Sequence, residues 1–111
     1  MKFCSIYITA GNEAEAREIG RALVEERLAA CVNILPIKSV YRWEEKVEEE
    51  GEVAMFVKTR DELAGAVIER VKDLHSYDVP CIVSFPIEKG NPDYLKWIEE
   101  STRQVDLKKG G

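Results

Sequence analysis

Cys31-Val-Asn-Ile-Leu-Pro-Ile-Lys-Ser-Val-Tyr-Arg-Trp-Glu-Glu-Lys-Val47, continuing through Glu48-Glu-Glu-Gly-Glu-Val-Ala-Met-Phe-Val-Lys-Thr59, is the stretch that decides the fold. It reads as two strands with no helix between them. The first opens on Cys31-Val-Asn-Ile-Leu, meets Pro36 and resumes through Ser39–Trp43. Proline has no ladder donor, so an edge position or a bulge is expected there. Glu44-Glu45 is the turn. The second strand runs from Lys46 to Thr59, with Gly51 read as a bulge or bend. Its later half alternates, with Val53, Met55 and Val57 on one face and Ala54, Phe56 and Lys58 on the other. The pair forms one hairpin, longer than a domain of this size needs for its own sheet.

Outward from the hairpin, residues 2–10 alternate as a strand, with Cys4, Ile6 and Ile8 on one face. Asn12, with Glu15 three residues on, makes a helix N-cap with a capping-box-like partner. The helix that follows is predicted to run to about Leu28. Ala16, Ile19, Gly20 and Leu23 form its apolar stripe, and Glu13 and Arg17 can pair on its outer face. After the hairpin, Asp61 can cap a second helix, striped by Leu63, Ala64, Val67, Ile68, Val71 and Leu74 and ending near His75, before Pro80. Cys81–Phe85 reads as a fourth strand and residues 92–104 as a third helix that starts on Pro92. The order β-α-β-β-α-β with an added C-terminal helix predicts an α+β, ferredoxin-like arrangement, with two helices on one face of a four-stranded antiparallel sheet. The chain reads as a single domain, 1–111, with an ordered core over about residues 2–104 and a frayed tail over 105–111.

The composition excludes several function classes. Sixteen basic residues against 21 acidic ones give a net charge of −5, the wrong sign for nucleic acid or an anionic membrane. No apolar stretch approaches a membrane span. Three cysteines at wide, irregular spacings argue for reduced thiols and a cytoplasmic location rather than a disulfide framework. Charged residues make up 33% of the chain and amides are scarce, a balance common in proteins from hot environments.

Chemistry is concentrated in one place. The only histidine, His75, stands in Leu74-His-Ser-Tyr-Asp-Val-Pro80 at a helix-to-strand junction, with Tyr77 and Asp78 beside it. It is either a ligand and proton-exchange residue or a C-terminal helix residue that complements the macrodipole. The loop after the first strand, Ala10-Gly-Asn-Glu13, has neither the Cys-x-x-Cys of a metal chaperone nor a phosphate-cradling loop with arginine. Cys81 lies six residues from His75 and reads as the first buried residue of its strand, with a nucleophile as the other reading. Cys4 reads as core. Cys31 reads as core or interface, or as a thiolate ligand. The acidic run Glu44–Glu52 lacks the spacing of a calcium loop and reads as the solvated face of the hairpin. Tyr41, Trp43, Tyr94 and Trp97 suit a core, a pocket or an interface. No set of residues makes a convincing catalytic constellation, so the chain reads as a non-enzyme.

Three segments in register resemble the CutA divalent-cation-tolerance proteins: Arg27-Leu-Ala-Ala-Cys-Val-Asn-Ile34; Tyr41-Arg-Trp-Glu-Glu-Lys-Val47 with Glu52–Thr59; and Leu74–Pro80 with Asp93-Tyr-Leu-Lys-Trp97. The resemblance spans roughly residues 3–103. It implies a homotrimer similar in architecture to PII signalling proteins, a role in tolerance of copper and other divalent cations, and no established reaction. A trimer would give the long hairpin edges a partner. His75 matches the family histidine and Cys31 the cysteine of its Ala-Ala-Cys motif, so these are the candidate metal residues, with copper or another divalent cation as the implied ligand. Trp43, Lys58, Tyr77 and Asp78 are the candidate pocket residues, near a subunit boundary. The sequence departs from the family pattern at Ile8 and Leu74, where some bacterial members carry a cysteine and a second histidine, and at Ser76 and Cys81. Glu45 replaces the usual turn glycine, so the turn either does not need positive φ or is strained there. The alternatives are a PII-like sensor of an anionic metabolite, with Lys58 and Arg60 as anion contacts, and a purely structural assembly subunit. A further protein partner stays open.

Overall fold

A computed structural model describes residues 1–104. The expected tail at 105–111 lies outside the described residues. The elements are β1 (Phe3–Ala10), α1 (Glu13–Glu25), β2 (Cys31–Trp43), β3 (Lys46–Arg60), α2 (Ala64–Leu74), β4 (Ile82–Ile87) and α3 (Pro92–Ser101). The four strands form one antiparallel sheet in the order β2-β3-β1-β4, the ferredoxin-like arrangement with an added helix.

The apolar alternation of β1 and β3 builds the core. Cys4, Ile6 and Ile8 join Met55 and Val57 beneath Ala16, Ile19 and Leu23 of α1 and Val67 and Val71 of α2. All of these have left water almost completely. Phe3, on the opposite face of β1, packs with Ala30 and Ile98, which places α3 over one end of the other side.

Asn12 accepts from the Glu15 amide at 2.8 Å, as its residue type predicts. The Glu15 carboxylate turns to Ser76 instead of closing a capping box. The ion pair on the outer face of α1 joins Arg21 to Glu25, about two turns beyond the expected Glu13 and Arg17. Helix α1 ends at Glu25, short of Leu28, because Arg27 takes φ 59° and the Leu28 amide turns back to the Leu23 carbonyl at 2.9 Å. That is the Schellman ending, with arginine where glycine is usual.

Pro36 sits on the edge strand, as expected, and the β2–β3 register runs through it unbroken. Gly51 is no bulge: it pairs with Lys38 in the same uninterrupted ladder. Glu44 and Glu45 both adopt positive φ, 48° and 71°, between the paired Trp43 and Lys46. A two-residue hairpin loop with this geometry is a type I′ turn, so the turn does demand positive φ and Glu45 bears the cost. Asp61 does not cap α2. Its amide is held by the Lys2 carbonyl, a 3₁₀ turn spans Asp61–Leu63, and α2 begins at Ala64 without a side-chain cap.

Arg60, at the end of β3, is buried with its guanidinium fully engaged. It donates to Thr102 Oγ1 at 2.9 Å, to the Glu62 carboxylate and to the Arg103 carbonyl. The Arg103 amide in turn donates to the Arg27 carbonyl at 2.8 Å. Thus the segment after α3 is tied to the ends of β3 and α1.

Candidate functional site

His75 caps the C-terminus of α2, its amide donating to the Val71 carbonyl at 2.9 Å. Its side chain is fully buried. Nε2 lies 2.7 Å from the Thr9 carbonyl, and Nδ1 accepts from the Tyr77 amide at 3.0 Å. A carbonyl only accepts and an amide only donates, so these partners assign the neutral ring with its proton on Nε2. Both ring nitrogens are occupied. The imidazole therefore fastens the 75–77 turn to the end of β1.

Glu15 secures the same turn from α1. Its carboxylate accepts from the Ser76 amide at 2.7 Å and from the Ser76 hydroxyl at 3.0 Å. Burial pushes this carboxyl up, but the Ser76 hydrogen bonds outweigh it and hold the group below its ordinary value of 4.5. The turn then delivers Tyr77. Its ring lies against the His75 imidazole, with centroids 4.7 Å apart, and its hydroxyl donates to Glu52 Oε2 at 2.9 Å. Gly11 makes room: a Cβ there would stand 3.3 Å from the Tyr77 hydroxyl. Burial, then the Glu52 contact, pushes the Tyr77 hydroxyl well above the usual phenol range. The Tyr41 hydroxyl donates to Glu50, and that bond pushes it up to about 12.

Tyr77, Glu52, Tyr41 and Glu50 line a cavity of about 730 Å³ between the outer half of the hairpin and the α2–β4 loop. β2 supplies Lys38, Val40, Tyr41 and Trp43; β3 supplies Glu50 and Glu52; the loop supplies Tyr77, Asp78 and Val79; Thr9 and Cys81 complete it. Of the expected pocket residues, Trp43, Tyr77 and Asp78 come together here. Lys58 does not. It pairs with Cys31 and Ser5, four residues along β1 from Thr9, and its ammonium binds Asn33 Oδ1. Four residues of strand are about 13 Å.

Cys31 lies at that same far end, with Sγ 3.8 Å from Asn33 Oδ1, so the register does not bring it to His75. Among the described residues no three His, Cys, Asp or Glu side chains are placed to hold a metal ion. With both His75 nitrogens engaged as well, the donor set does not fit a resident metal. Arg60 is likewise spent on its buried network and is no anion contact. Cys81 is exposed rather than the buried start of β4, because that strand begins one residue later, at Ile82. Burial of the sulfur raises its pKa, against a hydrogen bond with Thr9 that lowers it. Tyr41 was one of the four aromatics read as suiting a core, a pocket or an interface; the residues missed from sequence are Glu50, Glu52 and Glu15. The alternation that pairs Tyr41 with Trp43 and Glu50 with Glu52 was the available signal.

A family model for the CutA1 divalent ion tolerance protein matches residues 4–101. The chain belongs to that family. It is 52% identical over 96 residues to the divalent-cation tolerance protein CutA of Archaeoglobus fulgidus, covering 86% of this chain and 94% of that protein. It is 47% identical over 100 residues to the mouse protein CutA, covering 89% of this chain but only 56% of the mouse protein's length. The crystal structure of CutA1 from Oryza sativa superimposes with a TM-score of 0.92 at 42% identity, covering 95% of this chain and 97% of that one. No helix among the described residues is long and apolar enough to cross a membrane.

Proposed function

We propose that the chain is a homotrimeric, cytoplasmic binding module of divalent-cation tolerance, copper included, whose cavity takes a positively charged ligand. The observation that carries this reading is the cavity wall, which sets Glu50, Glu52 and Asp78 against the single ammonium of Lys38. Such a wall attracts cations and repels anions, which disfavours the anionic-metabolite alternative. Binding is favoured over catalysis because His75 has no free nitrogen for general-base work.

Trimer formation is supported by the sheet face away from α1 and α2. Phe85, 56% exposed, stands there with Val83, Leu35 and the Tyr7–Phe56 pair. Tyr94 and Trp97 stack beside them on α3. A face this apolar calls for a partner, and copies of the chain supply one.

Native mass spectrometry, with calorimetric titration of CuCl₂, ZnCl₂, alkylammonium chlorides and sodium sulfate, tests both parts. A trimer that takes up a cation and loses that uptake in Asp78→Asn supports the reading. A monomer, or saturable uptake of sulfate alone, ends it.

A further inference from the structure

We propose that the cavity binds a small organic cation, an ammonium head on a short apolar body, rather than a coordinated metal ion. This rests on the reading that the cavity takes a cationic ligand, and it names the class.

Three observations separate an ammonium from the alternatives. First, the wall is aromatic as well as acidic. Trp43 and Tyr41 from the hairpin and Tyr77 from the α2–β4 loop enter it from different elements. Aromatic faces attract a cation through their quadrupoles and also bury its apolar part. Second, two of the three carboxylates are already held. Tyr77 donates to Glu52 and Tyr41 donates to Glu50, so each keeps one oxygen outside its phenol bond. Divalent metals need several oxygen, nitrogen or sulfur ligands to replace bound water, and no such group of three is placed here among the described residues. An ammonium needs only one or two acceptors at hydrogen-bond distance. Third, a volume of about 730 Å³ is far larger than a bare ion requires and falls in the range of small-molecule sites.

The geometry also orders the site. His75 and Glu15 fasten the turn that carries Tyr77, and Tyr77 in turn fixes Glu52. The acceptor and aromatic walls are therefore in place before a ligand arrives, which lowers the cost of binding.

The test is calorimetry on the full chain with n-hexylammonium chloride, its neutral analogue hexan-1-ol, and ZnCl₂ and CuCl₂ as separate titrants. Hexylammonium is expected to bind saturably, one per chain, at least about tenfold more tightly than hexanol. Trp43→Ala and Asp78→Asn are each expected to weaken it by at least about threefold, with circular dichroism showing the fold retained. The wild-type comparison of ammonium with alcohol decides the matter even if a variant fails to fold. Equal affinity for hexanol overturns the proposal, as does full affinity in both folded variants. Saturable uptake of a metal ion with none of hexylammonium overturns it while leaving the cation-binding reading intact. No uptake of any cation removes both.

Discussion

The two halves of β3 are one strand with two physical lives. From Val53 to Lys58 it is flanked on both sides, by β1 and β2, and roofed by helices; Met55 there is 0% exposed. From Lys46 to Glu52 it is paired only with β2, and Val47 is 62% exposed. The inner half is held by burial. The outer half contributes little to the core and instead presents Glu50 to the cavity, beside Tyr41 and Trp43 of β2. Stability and the proposed ligand chemistry thus occupy different ends of the same ladder, meeting at Glu52, which is nearly buried and binds Tyr77.

That contrast can be broken by substitution. Met55→Ala should cost about 2–5 kcal/mol in urea unfolding at fixed protein concentration, whereas Val47→Ala should stay within about 0.5 kcal/mol in the same assay. Equal costs would mean that the outer half is as much core as the inner. At the junction, His75→Ala removes a buried ring with both its hydrogen bonds, and a loss of about 2–4 kcal/mol is expected. A neutral result would show that the turn holds without its latch.

Acid should act through Glu15. Its folded pKa lies below the ordinary 4.5, so its contribution is present in full above about 4.5 and disappears as pH falls through the lower folded value. Melting curves from pH 6 downward should therefore show a steeper loss in the wild type than in Glu15→Gln, and parallel curves would refute the assignment. The smallest effect sharpens the contrast from the other side. Glu45→Gly relieves positive φ in the turn and should add about 1 kcal/mol or less, read as a small rise in unfolding midpoint with cavity binding unchanged.

The inner region was the easier one to read. Period-two alternation in β1 and β3 and the stripes of α1 and α2 reflect burial directly, and those residues form the core. His75 stood out by being alone, and its neighbours Tyr77 and Asp78 line the cavity. The outer region hid its role. Six glutamates in Glu44–Glu52 look alike in sequence, and only the approach of the 75–79 turn makes Glu52 differ from exposed Glu48 and Glu49. Within one chain Lys58 stays away from the cavity, and strand position, which puts it four residues along the ladder from Thr9, cannot be read from residue type. Asp61 looked like a cap, but a 3₁₀ turn over Asp61–Leu63 comes before α2, which leaves Leu63, with no capping side chain, at the position before Ala64.

The Arg60 network has a consequence for anyone handling the protein. Thr102 and Arg103 supply partners to a guanidinium that has almost no access to water. Cutting the chain before Thr102 would remove two of its three partners and leave only the Glu62 ion pair, at a cost of about 1–3 kcal/mol. Affinity tags, fluorophores and fusion partners therefore belong beyond Gln104, and a shortened crystallisation variant that ends at Ser101 should express as an unstable product.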